Sequence, residues 1–273
     1  MYIINKLNEL FMIEQKGYTA EQFERCDDDI FKYTTDYSRV DFLLEQYNHL
    51  KRISEVLPEN TPNRLRWEIK NNPFNHYGYF MEYIEDAKPV EEKHMPQVIQ
   101  CIERISEIES DVEIPEFNTY IKYVKHVFLE NSHLYEFQEF SILIEKYISL
   151  LEDNELFYNM HTSICHGDFT VDNLLVNSAD KVIMIDCIYK PNMWSSWLMD
   201  IAKFYQNIYF DNVNLSITFT QHIEKLYKGK LPYSRLILGL MIANYVRMFP
   251  YIKNRPHLFM KRYNEFKILL RSI

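Results

Sequence analysis

The stretch "SICHGDFTVDNLLVNSADKVIMIDCIYK" runs from Ser163 to Lys190. It holds His166-Gly167-Asp168, then Asn173 five residues after that Asp, then an apolar run that ends in Asp186. The short apolar runs "NLLV" and "KVIMID" flank the polar turn Asn177-Ser178-Ala179-Asp180, a pattern that predicts a β-hairpin. In a plain hairpin, Asp and Asn serve only turns and caps. Phosphoryl transfer asks for more. It needs a carboxylate to orient or deprotonate the acceptor hydroxyl, hard oxygen ligands for Mg²⁺, a Lys or Arg on the phosphates and an apolar slot for the base. Asp168 and Asn173 on one loop can supply a base and a metal ligand side by side. The hairpin returns the chain so that Asp186 meets the same metal.

The motif "CHGDFTVDNLL" followed by "VIMID" resembles the catalytic core of the aminoglycoside phosphotransferase and choline kinase superfamily, relatives of the protein kinases. That family writes His-Gly-Asp-x-x-x-x-Asn and then an Ile-Asp pair at this distance. The resemblance implies Asp168 as catalytic base, Asn173 and Asp186 as magnesium ligands, and His166 as a residue that holds the loop through hydrogen bonds. The Asp-then-Asn catalytic loop is the established template for kinases in general. It further implies a strand Lys on the phosphates and a helix Glu that orients it. "DIFKYTT" offers Lys32 in a strand pattern, and the helix that follows offers Glu45. "YFMEYIED" resembles the hinge between lobes, where Met81 borders the base pocket and the Glu82 carbonyl and Ile84 amide face the adenine edge. "WLMDIAKFY" resembles the family's Asp-Leu-Ala helix start, with Asp200 as a structural anchor of the catalytic loop.

Two departures stand out. Only Gly17, in "QKGYTAEQFERC", is available for a phosphate-covering loop, so Tyr18-Thr19 are expected to cover the phosphates through backbone amides. "DCI" stands where protein kinases write Asp-Phe-Gly, which points away from a protein-kinase activation switch. Cys187 reads as a packed small side chain. Tyr189, Trp194 and Trp197 follow Asp186; core packing explains Trp197, while Trp194 is compatible with an acceptor pocket.

The rest of the chain is read around this core. "EQFERC" and "DIFKYTT" form a hairpin across Asp27-Asp28-Asp29. "SRVDFLLEQYNHLKRISEVL" repeats apolar residues at helical spacing (Val40, Leu43, Leu44, Tyr47, Leu50, Ile53), with Ser38 as N-cap and Pro58 closing the segment. "NRLRWEIKNN" and "HYGYFMEYIED" read as two more strands. After "DAKP" the period turns helical, and helices return from Trp197. The expected architecture is α+β, a protein-kinase-like two-lobe fold. Residues 1–85 form a nucleotide-binding lobe with a small antiparallel sheet and one helix. Residues 86–273 form a larger, mainly helical lobe with the catalytic loop and acceptor site.

Composition narrows the function. A chain of 273 residues with 47% hydrophobic and 25% charged residues has an ordinary globular balance. Its net charge of −9 argues against a phosphate-backbone partner such as nucleic acid, which calls for a basic stripe. No apolar stretch is long enough to span a bilayer, and the four scattered Cys suggest reduced thiols in a cytoplasmic protein. The expected function is Mg²⁺-dependent transfer of the γ-phosphoryl of ATP or GTP to a hydroxyl of a small polar molecule such as an amino sugar, aminoglycoside or amino alcohol. A nucleotide-binding pseudoenzyme or regulatory scaffold on the same fold is the alternative.

Overall fold

Hairpins and two amphipathic helices, among the described residues, build the part of the molecule that carries the motifs. The computed structural model describes residues 21–72, 74–110, 113–134, 162–188, 194–227 and 233–271, with isolated positions between 142 and 147. Two compact units emerge, one from Met1–Ile108 with His166–Lys190, the other from Glu109–Cys165 with Pro191–Ile273.

In the first unit, β1 (Gln22–Cys26) and β2 (Asp29–Thr34) pair antiparallel across the turn at Asp27 and Asp28. Asp27 sits there at φ 54°, a conformation that Asp tolerates better than most residues. Helix α1 (Val40–Val56) follows, and then β3 (Arg66–Asn72) and β4 (Phe74–Glu82) complete a sheet in the order β1-β2-β4-β3. The cap of α1 departs from the sequence expectation. A short 3₁₀ turn, Tyr37–Arg39, precedes the helix; Asp36 caps that turn by accepting from the Ser38 N–H, while Arg39 holds the N-cap position of α1 without a side-chain cap bond. An ionised carboxylate is the stronger acceptor for exposed N–H groups at a helix start.

The helix buries Leu43, Gln46, Tyr47, His49, Leu50 and Ile53, a stripe at i, i+3, i+4, i+7. The Tyr47 ring lies against Trp67 and Tyr79 of the sheet. Register places Phe23, Lys32, Tyr79 and Trp67 in one row across the four strands, hence on one face. On the other face Phe31 stacks on Phe80, and Arg66 lies 3.8 Å over the Phe80 ring.

The same unit contains β5 (Lys88–Pro89), α2 (Met95–Ser106), and the hairpin β6 (Leu174–Val176) and β7 (Val182–Met184), with sheet order β5-β6-β7. The Asn177 side chain accepts from the Ala179 and Lys181 N–H groups and so closes the turn the sequence marked. Asp180 ties that turn to the 3₁₀ turn Glu92–His94 just before α2, pairing with Lys93 at 2.8 Å and His94 at 3.1 Å.

The second unit is helical in its described residues: α3 (Phe117–Glu130), α4 (Trp197–Ile208), α5 (Val213–Tyr227), α6 (Tyr233–Ile252) and α7 (Pro256–Arg271). Ser196 caps α4 by accepting from the Leu198 N–H, and α4 and α7 pack on α6. Phe249 gathers Phe259, Tyr263 and Phe266 around it, and the Tyr245 hydroxyl donates to the buried Glu265 carboxylate at 2.8 Å. Much of the expected helix "YEFQEFSILIEKYISLLEDNELF" lies outside the described residues. Cys26, Cys101, Cys165 and Cys187 are free.

Candidate active site

The loop that carries Asp168 is held by its histidine. His166 is fully buried, accepts from the Asp168 N–H at Nδ1 (3.3 Å), and donates from Nε2 to the Ile185 carbonyl (3.0 Å). Burial pushes its pKa down to about 4, against the pull of the nearby Asp168 carboxylate, so the ring is neutral at pH 7. A neutral imidazole with both nitrogens engaged is a strut rather than a base. Gly167 adopts φ 83°, and a Cβ there would sit 1.8 Å from the Ile188 carbonyl oxygen. Only glycine fits between the loop and the strand that returns past it. The Ile188 N–H donates to the His166 carbonyl at 2.8 Å, closing the same contact from the other side.

Asp168 and Asn173 meet directly. The Asn173 Nδ2 donates to the Asp168 backbone carbonyl (2.8 Å) and to its Oδ2 (3.1 Å) across the 3₁₀ turn Val171–Asn173. The Asn173 carbonyl accepts from the Ile185 N–H at 3.0 Å, which fastens the loop one residue before Asp186. Asp186 lies at φ 57°, in the left-handed region. Such a conformation costs on the order of 1–3 kcal/mol for a non-glycine residue and persists where surroundings impose it.

Lys32 completes the set. Its ammonium donates to Asp186 Oδ1 at 2.6 Å, joining residues from β2 and from the end of the second hairpin. Burial opposes the Lys32 charge, but the Asp186 carboxylate outweighs it and holds the ammonium pKa above the ordinary lysine value. The pairs Asp168–Asn173 and Lys32–Asp186 are thus brought together through Ile185, whose N–H and carbonyl serve Asn173 and His166.

Glu45 is not brought to this set. It is exposed on α1, off the buried stripe, and partial burial and the like charge of Asp41 raise its pKa. The physical reason is rotation: Leu43, Tyr47 and Leu50 face the sheet, which turns residue 45 away from it. The apolar spacing of the sequence already contained that information. Met81 is buried in β4 opposite Ile30. The Glu82 carboxylate accepts from the Asn63 N–H and side-chain amide, while the Glu82 and Tyr83 N–H groups donate to the Asn63 and Asp28 carbonyls. Ile84 follows, half-buried. A polar cavity of about 590 Å³ is lined by Glu82–Glu85 together with Asn63, Arg64 and Lys181, but by none of Lys32, Asp168, Asn173 or Asp186.

Gly17, Tyr18, Thr19 and Tyr189 lie outside the described residues. Trp194 is in the core, 1% exposed and edge-on to Phe117, whereas Trp197 at the start of α4 is only half-buried. Trp194, rather than Trp197, is therefore the packed tryptophan, because Trp194 is seated before the helix cap and Trp197 within the first turn. Asp200 is buried in that turn. Cys187 is buried, as expected. Sequence reasoning missed Tyr79, fully buried beside Lys32; its signal was the alternation that sets Tyr79 and Met81 on one face.

The donor set fits magnesium. Asn173 turns its amide NH₂ toward Asp168, which leaves its oxygen for a cation, and Asp186 is a part-exposed carboxylate. Mg²⁺ is commonly held by one or two such oxygens together with substrate phosphates and water. Among the described residues no group of three or more His, Cys, Asp or Glu gathers, so no all-protein cage is formed there. No helix among them is long and apolar enough to cross a membrane.

These features define a protein-kinase-like α+β fold of the kind found in small-molecule kinases. Sequence comparison with family models and with curated proteins finds no match. Solved structures are similar over nearly the whole chain. Choline kinase LicA from Streptococcus pneumoniae is 15% identical with a TM-score of 0.63, covering 100% of this chain and 99% of its own. A choline/ethanolamine kinase family protein from Mesorhizobium loti is 12% identical with a TM-score of 0.62, covering 99% and 95%. The GDP complex of aminoglycoside 2'-phosphotransferase-IIIa is 12% identical with a TM-score of 0.63, covering 94% and 90%.

Proposed function

We propose that this protein is a small-molecule kinase, transferring the γ-phosphoryl of ATP or GTP to a hydroxyl of a small polar acceptor in a Mg²⁺-dependent reaction. The observation that carries the reading is the Lys32–Asp186 ion pair at 2.6 Å, joined through Ile185 to a loop on which Asn173 orients Asp168. In this reading Asp168 accepts the proton of the acceptor hydroxyl, and Lys32 leaves Asp186 to bind the phosphates. Asn173 and Asp186 would hold Mg²⁺, which would neutralise the charge of the triphosphate. Residues 1–85 serve as the nucleotide lobe, with Met81, the Glu82 carbonyl and the Ile84 amide at the base; residues 86–273 supply the catalytic loop and the acceptor site. The exposed position of Glu45 leaves it without a role toward the nucleotide.

The acceptor class follows from charge and from likeness of fold. A net charge of −9 disfavours a polyanionic partner, and the similar structures include kinases of choline and of aminoglycosides. An amino sugar, aminoglycoside or amino alcohol fits both, and a cytoplasmic location supplies nucleotide and Mg²⁺. Calorimetry with ATP and GTP, with and without Mg²⁺, followed by phosphate transfer to a panel of such acceptors, tests the reading. Mg²⁺-dependent binding and labelled small-molecule product are expected, and Asp168→Ala should lower transfer by on the order of 10²- to 10⁴-fold per folded molecule. No heat with either nucleotide at millimolar concentration, or transfer unaffected in the Ala variant, overturns it.

A further inference from the structure

The buried lysine of the site lacks the helix carboxylate that such a lysine would be expected to have. The residues α1 buries are Leu43, Gln46, Tyr47, His49, Leu50 and Ile53, and none is an acid. Lys32 is 3% exposed, and its ammonium has one hydrogen-bond partner among the described residues, Asp186, with the Phe23 ring 5.6 Å away on its other side. An ammonium offers three donors. In a reaction that gives Asp186 to a metal, that single partner is withdrawn, and a flexible four-carbon side chain loses its fixed position.

Directly across the sheet stands a group without a use. Tyr79 is paired with Lys32 in the β2–β4 register, so the two side chains leave the same face of adjacent strands with Cβ atoms roughly 5 Å apart. Tyr79 is 0% exposed, its ring is fixed against Tyr47, and its hydroxyl has no hydrogen-bond partner among the described residues. A buried hydroxyl left unpaired is rare in folded proteins and points to a second state in which it is paired. Burial raises the hydroxyl's pKa, so it remains neutral and protonated and keeps an acceptor lone pair toward a cation.

We propose that Tyr79 is a positioning residue for Lys32: its hydroxyl accepts from the Lys32 ammonium and holds it toward the phosphates when Asp186 is engaged elsewhere. The inference rests on the kinase reading for the identity of that other engagement, but the contact itself belongs to this chain alone. Phe at position 79 preserves the ring and removes an unpaired buried hydroxyl. On packing grounds alone, Tyr79→Phe therefore melts at the parental temperature or above it.

The test uses two readouts. In the full-length Asp186→Asn protein the carboxylate is neutralised, and acylation of Lys32 by an amine-reactive ester is followed at pH 8 by peptide mass spectrometry. Adding Tyr79→Phe to that protein is expected to speed Lys32 acylation by on the order of 2- to 10-fold, the range of one hydrogen bond. In the Asp186-containing protein, Tyr79→Phe is expected to weaken Mg²⁺–ATP binding by a similar factor without lowering the melting temperature. Equal acylation of the single and double variants, fast or nil, overturns the proposal whether or not ATP binds. Faster acylation in the double variant of a protein that binds no nucleotide would keep the Tyr79 anchor and reject the kinase reading.

Discussion

Acidification should destabilise this fold through one histidine. His166 is fully buried, and its pKa falls from the ordinary 6.5 to about 4 because burial penalises the imidazolium. The unfolded chain therefore takes up a proton on His166 below pH 6.5 that the folded chain refuses until about pH 4. Stability from this residue is complete above pH 6.5, is lost progressively as pH falls from 6.5 to about 4, and the loss levels off below that. At pH 4.5 the unfolded His166 is almost fully protonated and the folded one about a quarter, which corresponds to about 2.5 kcal/mol lost relative to pH 7.5. Urea unfolding of the parent and of His166→Gln, each at pH 7.5 and pH 4.5 in Mg²⁺-free buffer, isolates the effect. Gln lacks the titration, so the parent should lose about 2.5 kcal/mol more than the variant over the interval, with other titrations cancelling. Equal losses would show that His166 is not held neutral by burial, and the strut assigned to it between Asp168 and Ile185 would fall with that result.

Two further perturbations separate roles within the site. Asp186→Asn should weaken Mg²⁺-dependent nucleotide binding at least 10-fold, about 1.4 kcal/mol in binding, and lower stability by about 1–3 kcal/mol, because Lys32 loses its charged partner. Asp168→Asn should leave the nucleotide dissociation constant within about 2-fold, since its carboxylate acts on the acceptor; calorimetry that finds the two variants equal reverses the assignments. Gly167→Ala places a Cβ 1.8 Å from the Ile188 carbonyl at φ 83°, so a cost of about 1–3 kcal/mol or more in thermal unfolding is expected, with a displaced loop and a lower transfer rate. A parental melt and rate would mean that the His166–Ile188 approach is looser than the structure has it.

Much of this protein was legible as a string. Both hairpins, helix α1 and the helical run from Trp197 follow from local period and turn chemistry, because alternation, 3.6-residue spacing and Asn/Asp turns are properties of neighbouring residues. The approach of the Asp168–Asn173 loop to the segment just before Asp186 was legible for a related reason: a short hairpin fixes how the chain returns. Asp36 as the cap of the 3₁₀ turn before α1 was within reach too, since a carboxylate two residues upstream of Ser38 competes for the same N–H groups.

What joins Lys32 to Asp186 is of another kind. The two lie 154 positions apart, and no local pattern carries that distance. Strand order and register decided it, by setting Phe23, Lys32, Tyr79 and Trp67 in one row and turning Glu45 away from them. Helix rotation about its own axis and strand pairing are collective choices, made by the whole buried stripe rather than by any one residue. The motif on the loop was therefore determined by the sequence alone, while the partner of the lysine and the lone hydroxyl beside it were decided only by tertiary packing.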